Sequence, residues 1–173
     1  MKRSILILAF VAVSGMTNSV MAADGTIHFT GSISDQTCTV ESNSQSLNVD
    51  LGQVAQAALN GAAGIKASPS SFTLILSECP DTVAGASVKF DGTPDELNKN
   101  LLALDYDTGV ATGVGIEIAN SDGTAIPLHS ASADYPLTEG SNTLGFLARY
   151  VSTGATVTPG KANGTSEFTI NYK

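Results

Sequence analysis

The chain has 173 residues, a formal net charge of −8 and only two cysteines. Nucleic acids and anionic membrane surfaces are themselves negative, so this charge argues against both, and we predict no nucleic-acid partner. The length is enough for one domain around one hydrophobic core.

The first 22 residues have the pattern of a secretory signal peptide. Lys2 and Arg3 precede an apolar run at 5–13, which is too short to span a bilayer, and residues 20–22 offer a cleavage site. We expect cleavage after Ala22. Lys2 and Arg3 are the only charged residues before that point, so the mature chain would carry −8 − 2 = −10. We therefore expect an exported, soluble protein.

Cys38 and Cys79 are predicted to form a disulfide, because an even number of cysteines in an exported chain usually pairs. The bond would close a loop of about 40 residues and contribute about 4 kcal/mol in the chain-entropy model. A metal site or a catalytic thiol would need further ligands nearby in sequence, and none is present.

Both ends of the mature chain alternate between apolar and polar residues, which is the side-chain period of a strand. Near the start, a strand is predicted at 25–35, with an apolar face formed by Ile27, Phe29, Gly31 and Ile33. At the end, Phe168, Ile170 and Tyr172 form one face of a strand that runs to Lys173. Gly31 indicates either a bulge or a position where another backbone must approach closely.

The middle of the chain is a series of short predicted strands separated by turn residues. They are expected at 37–40, 46–51, 71–79, 86–90, 113–118, 124–128 and 143–150, with a short apolar segment at 101–106 and a mostly irregular connection at 53–63. Strands at this spacing, without a long helix, predict an all-β antiparallel sandwich. Such a sandwich has edge strands that must be covered or protected.

Candidate catalytic residues are few. His28 and His129 are the only histidines, and neither belongs to a recognisable nucleophile or metal pattern. Asp105 and Asp107 flank Tyr106 and are either paired carboxylates, weak calcium ligands or a solvated edge. We predict no enzyme activity, no cofactor and no metal site.

The order of these features resembles a type 1-type fimbrial (pilus) subunit of the bacterial chaperone–usher family, most of all a major subunit. The resemblance covers nearly the whole chain. It rests on the segment 29–33 before Cys38, Leu51-Gly52-Gln53, the second cysteine at the end of a strand, Val114-Gly115-Ile116, residues 146–150, Gly160 fourteenth from the end and Tyr172 next to last.

The resemblance implies an incomplete immunoglobulin-like sandwich that lacks its last strand and is completed by a donor strand from a chaperone or a neighbouring subunit. Residues 23–36 would be the donor extension and 37–173 the pilin domain. Ile27, Phe29, Gly31 and Ile33 would be the donor face, and the acceptor groove and chaperone-binding strand would comprise Gly160, Phe168, Ile170, Tyr172 and Lys173. Gly160 would open that final strand.

The resemblance also implies the partners and the location. The partners would be identical or related pilin subunits, a periplasmic chaperone and an outer-membrane usher. The product would be a cell-surface fimbrium that supports adhesion. Two alternatives remain open: a minor adaptor or terminator pilin, and a monomeric secreted sandwich that binds a ligand.

Overall fold

The computed structural model describes residues 24–31, 33 and 37–173, and it divides the chain into two units, 1–33 and 34–173. The predicted signal peptide lies outside the described residues. In the first unit, residues 24–31 and 33 form neither helix nor strand, so the strand expected at 25–35 is not formed at these positions. A strand needs the backbone of a partner for its hydrogen bonds, and alternation alone does not supply one.

The second unit contains eight strands within the described residues and almost no helix. The strands are β1 (Thr39–Val40), β2 (Ser70–Cys79), β3 (Gly85–Asp91), β4 (Val114–Asn120), β5 (Ala125–Ile126), β6 (Tyr135–Pro136), β7 (Gly140–Ser152) and β8 (Glu167–Tyr172). A single turn of helix, α1 (Ser42–Gln45), follows β1, and a 3-10 turn covers Gln56–Ala58. No helix of the described part of the chain is long and apolar enough to cross a bilayer.

The strands form two antiparallel sheets. The larger has the order β1-β2-β7-β4-β5, and the smaller has the order β6-β3-β8. The longest ladder joins β2 to β7, with Phe72 opposite Phe146 and Leu74 opposite Leu144. The predicted all-β antiparallel sandwich is therefore confirmed, and β1 and β8 each lie at a sheet edge.

The main core lies between the sheets and is built around aromatic rings. Phe146 on β7 is 1% exposed and contacts Phe90 on β3 edge to face, with 5.1 Å between ring centroids. Phe72 on β2 stacks on the Phe146 ring at 5.5 Å and meets Phe90 edge to face at 6.2 Å. Such pairs add to the burial of their large apolar surface, and they hold the two sheets together.

The predicted strands at 71–79, 86–90, 113–118 and 143–150 correspond to β2, β3, β4 and β7. The strand predicted at 46–51 is wrong, because these residues have no strand partner in the described structure. The apolar segment 101–106 forms only isolated bridges, through Leu102. The helical turn α1 was not predicted, because its four polar residues give no periodic signal.

Candidate functional site

The edge strand β8 is the first wall of the candidate site. It pairs with β3 in a register that sets Phe168 opposite Phe90, Ile170 opposite Val88 and Tyr172 opposite Ala86. Among the described residues, the sheet order leaves the other side of β8 without a neighbouring strand. An exposed edge of this kind is a template for another strand.

The hydrogen bonds of β8 show which backbone groups face the open side. The Lys173 N–H donates to the Gly85 carbonyl at 2.8 Å, and bonded pairs alternate along an antiparallel ladder. The backbone of alternate residues, Phe168, Ile170 and Tyr172, therefore faces away from β3. Within 37–173, β8 pairs with no strand other than β3, so no second ladder is available to these groups.

The side chains of the same three residues are only half buried. Phe168, Ile170 and Tyr172 pack against the main core, while the residues between them are exposed. Partial burial raises the pKa of the Tyr172 hydroxyl. That hydroxyl donates to the Cys38 carbonyl at 3.3 Å, which brings the end of β8 next to the start of β1.

The segment 47–51 is the second wall. Val49 and Leu51 are half buried and pack against a second core cluster, while Leu47 is 41% exposed. No backbone–backbone hydrogen bond of the described residues involves 47–51. The segment is held instead through Asp50, whose carbonyl accepts from Ser70 Oγ at 2.7 Å.

The floor between the walls is Phe72. This half-buried ring packs against the cluster that contains Phe168 and Ile170, and also against the cluster that contains Val49 and Leu51. Phe72 is therefore an apolar side chain shared by the two clusters against which the walls pack. We call this feature the open groove, defined by 47–51, Phe72 and β8.

A cavity of about 550 Å³ adjoins the second wall, since Asp50 is part of its lining. The lining of the cavity includes residues of 50–56, residues of 157–163 and Tyr150. Burial, together with the charge of Asp50, raises the pKa of the Tyr150 hydroxyl. At the C-terminal end of β8, the Tyr172 hydroxyl bonds to the Cys38 carbonyl.

Gly160 lies seven residues before β8, in the lining of this cavity, and does not open the final strand as expected. A Cβ atom at this position would come within 2.5 Å of the Ala111 nitrogen and the Gly109 oxygen. The loop at 158–161 runs against 110–112, where bridges join Val110 to Lys161 and Thr112 to Thr158. Close backbone packing therefore requires the glycine.

The predicted disulfide between Cys38 and Cys79 is confirmed. The two Cα atoms are 4.2 Å apart, and both residues are buried in the main core. The bond ties the residue before β1 to the last residue of β2. It therefore holds Cys38, whose carbonyl accepts the Tyr172 hydrogen bond, next to the end of β2.

The predicted donor residues lie in the first unit and are unusually exposed. The side chains of Ile27, Phe29 and Ile33 are 78%, 92% and 104% exposed. A Cβ atom added to Gly31 would meet nothing within 4 Å. The described part of this segment has no strand partner. The two alternatives for Gly31, a bulge or a close approach of another backbone, therefore both stay open.

The candidate catalytic groups are not brought together. Asp105 accepts hydrogen bonds from the Thr165 nitrogen and Oγ1 at 3.1 and 2.9 Å, while Asp107 forms an ion pair with Lys161 at 2.5 Å. His129 Nδ1 lies 2.8 Å from Asp91 on another part of the surface. Among the described residues no cluster of three acids, histidines or cysteines could hold a metal.

Comparison with known proteins decides the family. The profile of the family described as "Fimbrial protein" matches residues 27–173. The chain is 38% identical to "Fimbrial subunit type 1" of Salmonella typhimurium, over 98% of this chain and 94% of that protein. It is 36% identical to the "Probable major fimbrial subunit LpfA" of Escherichia coli O157:H7, over 100% and 98%.

The chain belongs to the fimbrial protein family. Among solved structures, it resembles a Burkholderia pseudomallei antigen and type I fimbria protein, with a TM-score of 0.62, 34% identity, and coverage of 80% of this chain and 91% of that one. The P pilus rod subunit PapA shares the fold, with a TM-score of 0.65, 22% identity, and coverage of 79% and 99%.

These comparisons confirm the resemblance, the two antiparallel sheets confirm the all-β sandwich, and the chain is a structural subunit of a cell-surface fimbria. Sequence reasoning found β8 and missed the second wall of the open groove. A sequence signal for this wall was present, because 46–51 alternates between polar and apolar residues as a strand does. Alternation does not reveal that such a strand has no partner in its own chain.

Proposed function

We propose that copies of this subunit join by strand addition, in which the segment 27–33 of one copy fills the open groove of the next. The observation that carries the proposal is the match between two unpartnered features. One is the segment with Ile27, Phe29 and Ile33 exposed, and the other is an edge strand over a partly uncovered core. Strand addition is an established mode of protein association, and pilins are among its known cases.

The dimensions of the two parts agree. The rise of a strand is about 3.4 Å per residue, so both 27–33 and β8 span about 20 Å. The added strand would receive hydrogen bonds from the open backbone of Phe168, Ile170 and Tyr172. Its apolar side chains would cover Phe72 and both walls, with Gly31 as a small residue among larger ones.

The energetics favour such a joint. Full burial of an Ile or Phe side chain contributes about 1.5–3 kcal/mol. Ile27, Phe29 and Ile33 would therefore contribute about 5–9 kcal/mol on that scale, before backbone pairing. Each copy has a donor and an acceptor on different surfaces, and such a heterologous contact propagates into an open filament.

The proposal includes the assembly partners. An open groove exposes apolar surface and an unpaired edge, and both promote aggregation. A periplasmic chaperone would cover the groove with its own strand, and an outer-membrane usher would release the subunit into the fibre. We infer that the protein makes and breaks no covalent bond, since its family is structural, and that it acts as the major subunit.

The proposed boundaries follow from the same assignment. Residues 1–22 would be removed on export, 23–36 would be the donor extension, and 37–173 would be the domain that holds the groove. N-terminal sequencing of the surface protein tests the first boundary. A mature chain that began after Gly31 would lack half of the donor face and would contradict the proposal.

The experiment that tests the joint is a gel of boiled and unboiled fibres. The chain is co-expressed with a matching chaperone, either intact or lacking 24–34. We expect the intact chain to give a detergent-resistant ladder that collapses on boiling, and the truncated chain to give only monomer or chaperone complex. If both accumulate as stable monomers without a chaperone, the chain completes its own sandwich, and the secreted ligand-binding alternative is preferred.

A further inference from the structure

The chain contains two Asn-Gly dipeptides, Asn60-Gly61 and Asn163-Gly164. Asparagine is a thermolabile residue, and a following glycine has no side chain to hinder the attack of its own nitrogen on the asparagine side chain. Asn60 and Asn163 are both exposed, and neither lies in a helix or a strand. Exposure therefore does not distinguish the two sites, whereas their hydrogen bonds do.

Asn60-Gly61 is held at both of the groups that would react. Asn60 Oδ1 accepts from the Val157 N–H at 2.7 Å, and the Gly61 N–H donates to the Ala155 carbonyl at 2.9 Å. Attack of the Gly61 nitrogen on the Asn60 side chain would have to break both hydrogen bonds. The fold therefore protects this dipeptide.

Asn163-Gly164 lacks both of these restraints. Among the described residues, no hydrogen bond involves the Asn163 side chain or the Gly164 N–H. The residues on either side are anchored, because the Tyr150 hydroxyl donates to the Ala162 carbonyl at 2.7 Å and the Thr165 N–H donates to Asp105 Oδ1 at 3.1 Å. The two reacting groups are thus unpartnered between two fixed points.

One hydrogen bond at this dipeptide assists the reaction. The Asp105 N–H donates to the Asn163 carbonyl at 2.8 Å, and this carbonyl belongs to the same peptide unit as the Gly164 nitrogen. When that nitrogen loses its proton, resonance shares the negative charge with the carbonyl oxygen. A donor at the oxygen stabilises the anion, because hydrogen bonds to charged acceptors are the stronger ones. The anion is the nucleophile in the attack on the side chain.

We propose that Asn163 is a site of spontaneous deamidation. The Gly164 nitrogen gives its proton to solvent hydroxide and bonds to Asn163 Cγ, and the bond from Cγ to the side-chain nitrogen breaks. That nitrogen takes up protons from water and leaves as ammonia, so a cyclic imide remains. Water then adds to either carbonyl of the imide and opens it to aspartate or isoaspartate. The whole reaction consumes water and releases ammonia, and it needs no oxidant or enzyme.

The products change the loop that precedes β8. Asn163 shares the lining of the 550 Å³ cavity with Asp50, so either product adds a second carboxylate there. Isoaspartate also inserts a methylene group into the backbone between Ala162 and Thr165. The bonds from Tyr150 and to Asp105 then cannot all keep their geometry, and we expect the loop to loosen. The reaction occurs within one copy, so it does not depend on the proposed strand addition.

Peptide mapping of fimbriae purified from the cell surface tests the proposal. The sample is incubated in heavy-oxygen water at mildly alkaline pH and then reduced and digested with trypsin in ordinary water, where cleavage after Lys161 releases 162–173. We expect heavy oxygen to enter at Asn163, and faster at higher pH. Conversion at Asn60 should be slower by about tenfold or more, because two hydrogen bonds must break there.

The control is the same chain unfolded in guanidinium, where both dipeptides lose their hydrogen bonds and should convert at similar rates. Equal rates at Asn60 and Asn163 in the folded protein would overturn the proposal. So would an unreacted Asn163 under conditions in which the unfolded chain converts.

Asn163→Gln tests the consequence for the loop, since glutamine forms its cyclic imide far more slowly. After incubation, the wild-type chain should unfold at a lower denaturant concentration than the variant, while the two should agree before incubation. Equal midpoints after Asn163 has converted would refute the loosening of the loop.

Discussion

Phe29→Ala should weaken the joint between copies without destabilising the folded unit that holds the groove. The Phe29 ring is 92% exposed, so its removal takes no packing from the core of the described structure. In the proposed joint the ring would be buried over Phe72. Removing a buried Phe side chain costs about 3 kcal/mol or more, and 1.4 kcal/mol is a factor of ten in an equilibrium constant. We therefore expect each joint to weaken by about 100-fold.

The measurement is the guanidinium concentration at which half of the fibre dissociates, read from unboiled gels. Thr30→Ala is the matched control, since Thr30 is the next residue and belongs to the opposite face of the alternating segment. We expect a clear fall in the midpoint for Phe29→Ala and little change for Thr30→Ala. Equal midpoints for the two variants would refute the assignment of the donor face.

Three further substitutions test the folded unit by its denaturant midpoint. Cys38→Ser should cost about 4 kcal/mol through the loss of a buried disulfide, and an unchanged midpoint would refute the structural role of that bond. Arg149→Met should cost about 1.5–3 kcal/mol, because it removes a charged donor that bonds the buried Glu117 carboxylate at 2.6 Å, while Lys66 remains paired with that carboxylate at 2.7 Å; Lys99→Met, an exposed site, is its control. Gly160→Ala should cost about 1–3 kcal/mol, because its Cβ atom would overlap backbone atoms of 109–111, whereas Gly164→Ala, whose closest contact would be the Ile116 side chain, should cost less.

Alternation predicted the paired strands correctly, because a buried face and a ladder partner both lie within the chain. Phe72, Leu74 and Leu76 predicted β2, and the structure pairs that strand with both β1 and β7. The same reasoning failed at 46–51, where the apolar alternation is equally clear. It also misplaced Gly160, because the close approach of 109–111 is a tertiary contact that no local pattern encodes.

The two failures of strand prediction have one physical explanation. Residues 25–33 and 46–51 both alternate, yet neither has a ladder partner in the described structure. Among the described residues, the edge strand β8 likewise pairs on one side only, with β3. A strand inserted between 47–51 and β8 would satisfy both edges at once and would cover Phe72. The segment 27–33 has the length and the apolar face for that position, and this is the joint that we propose between copies.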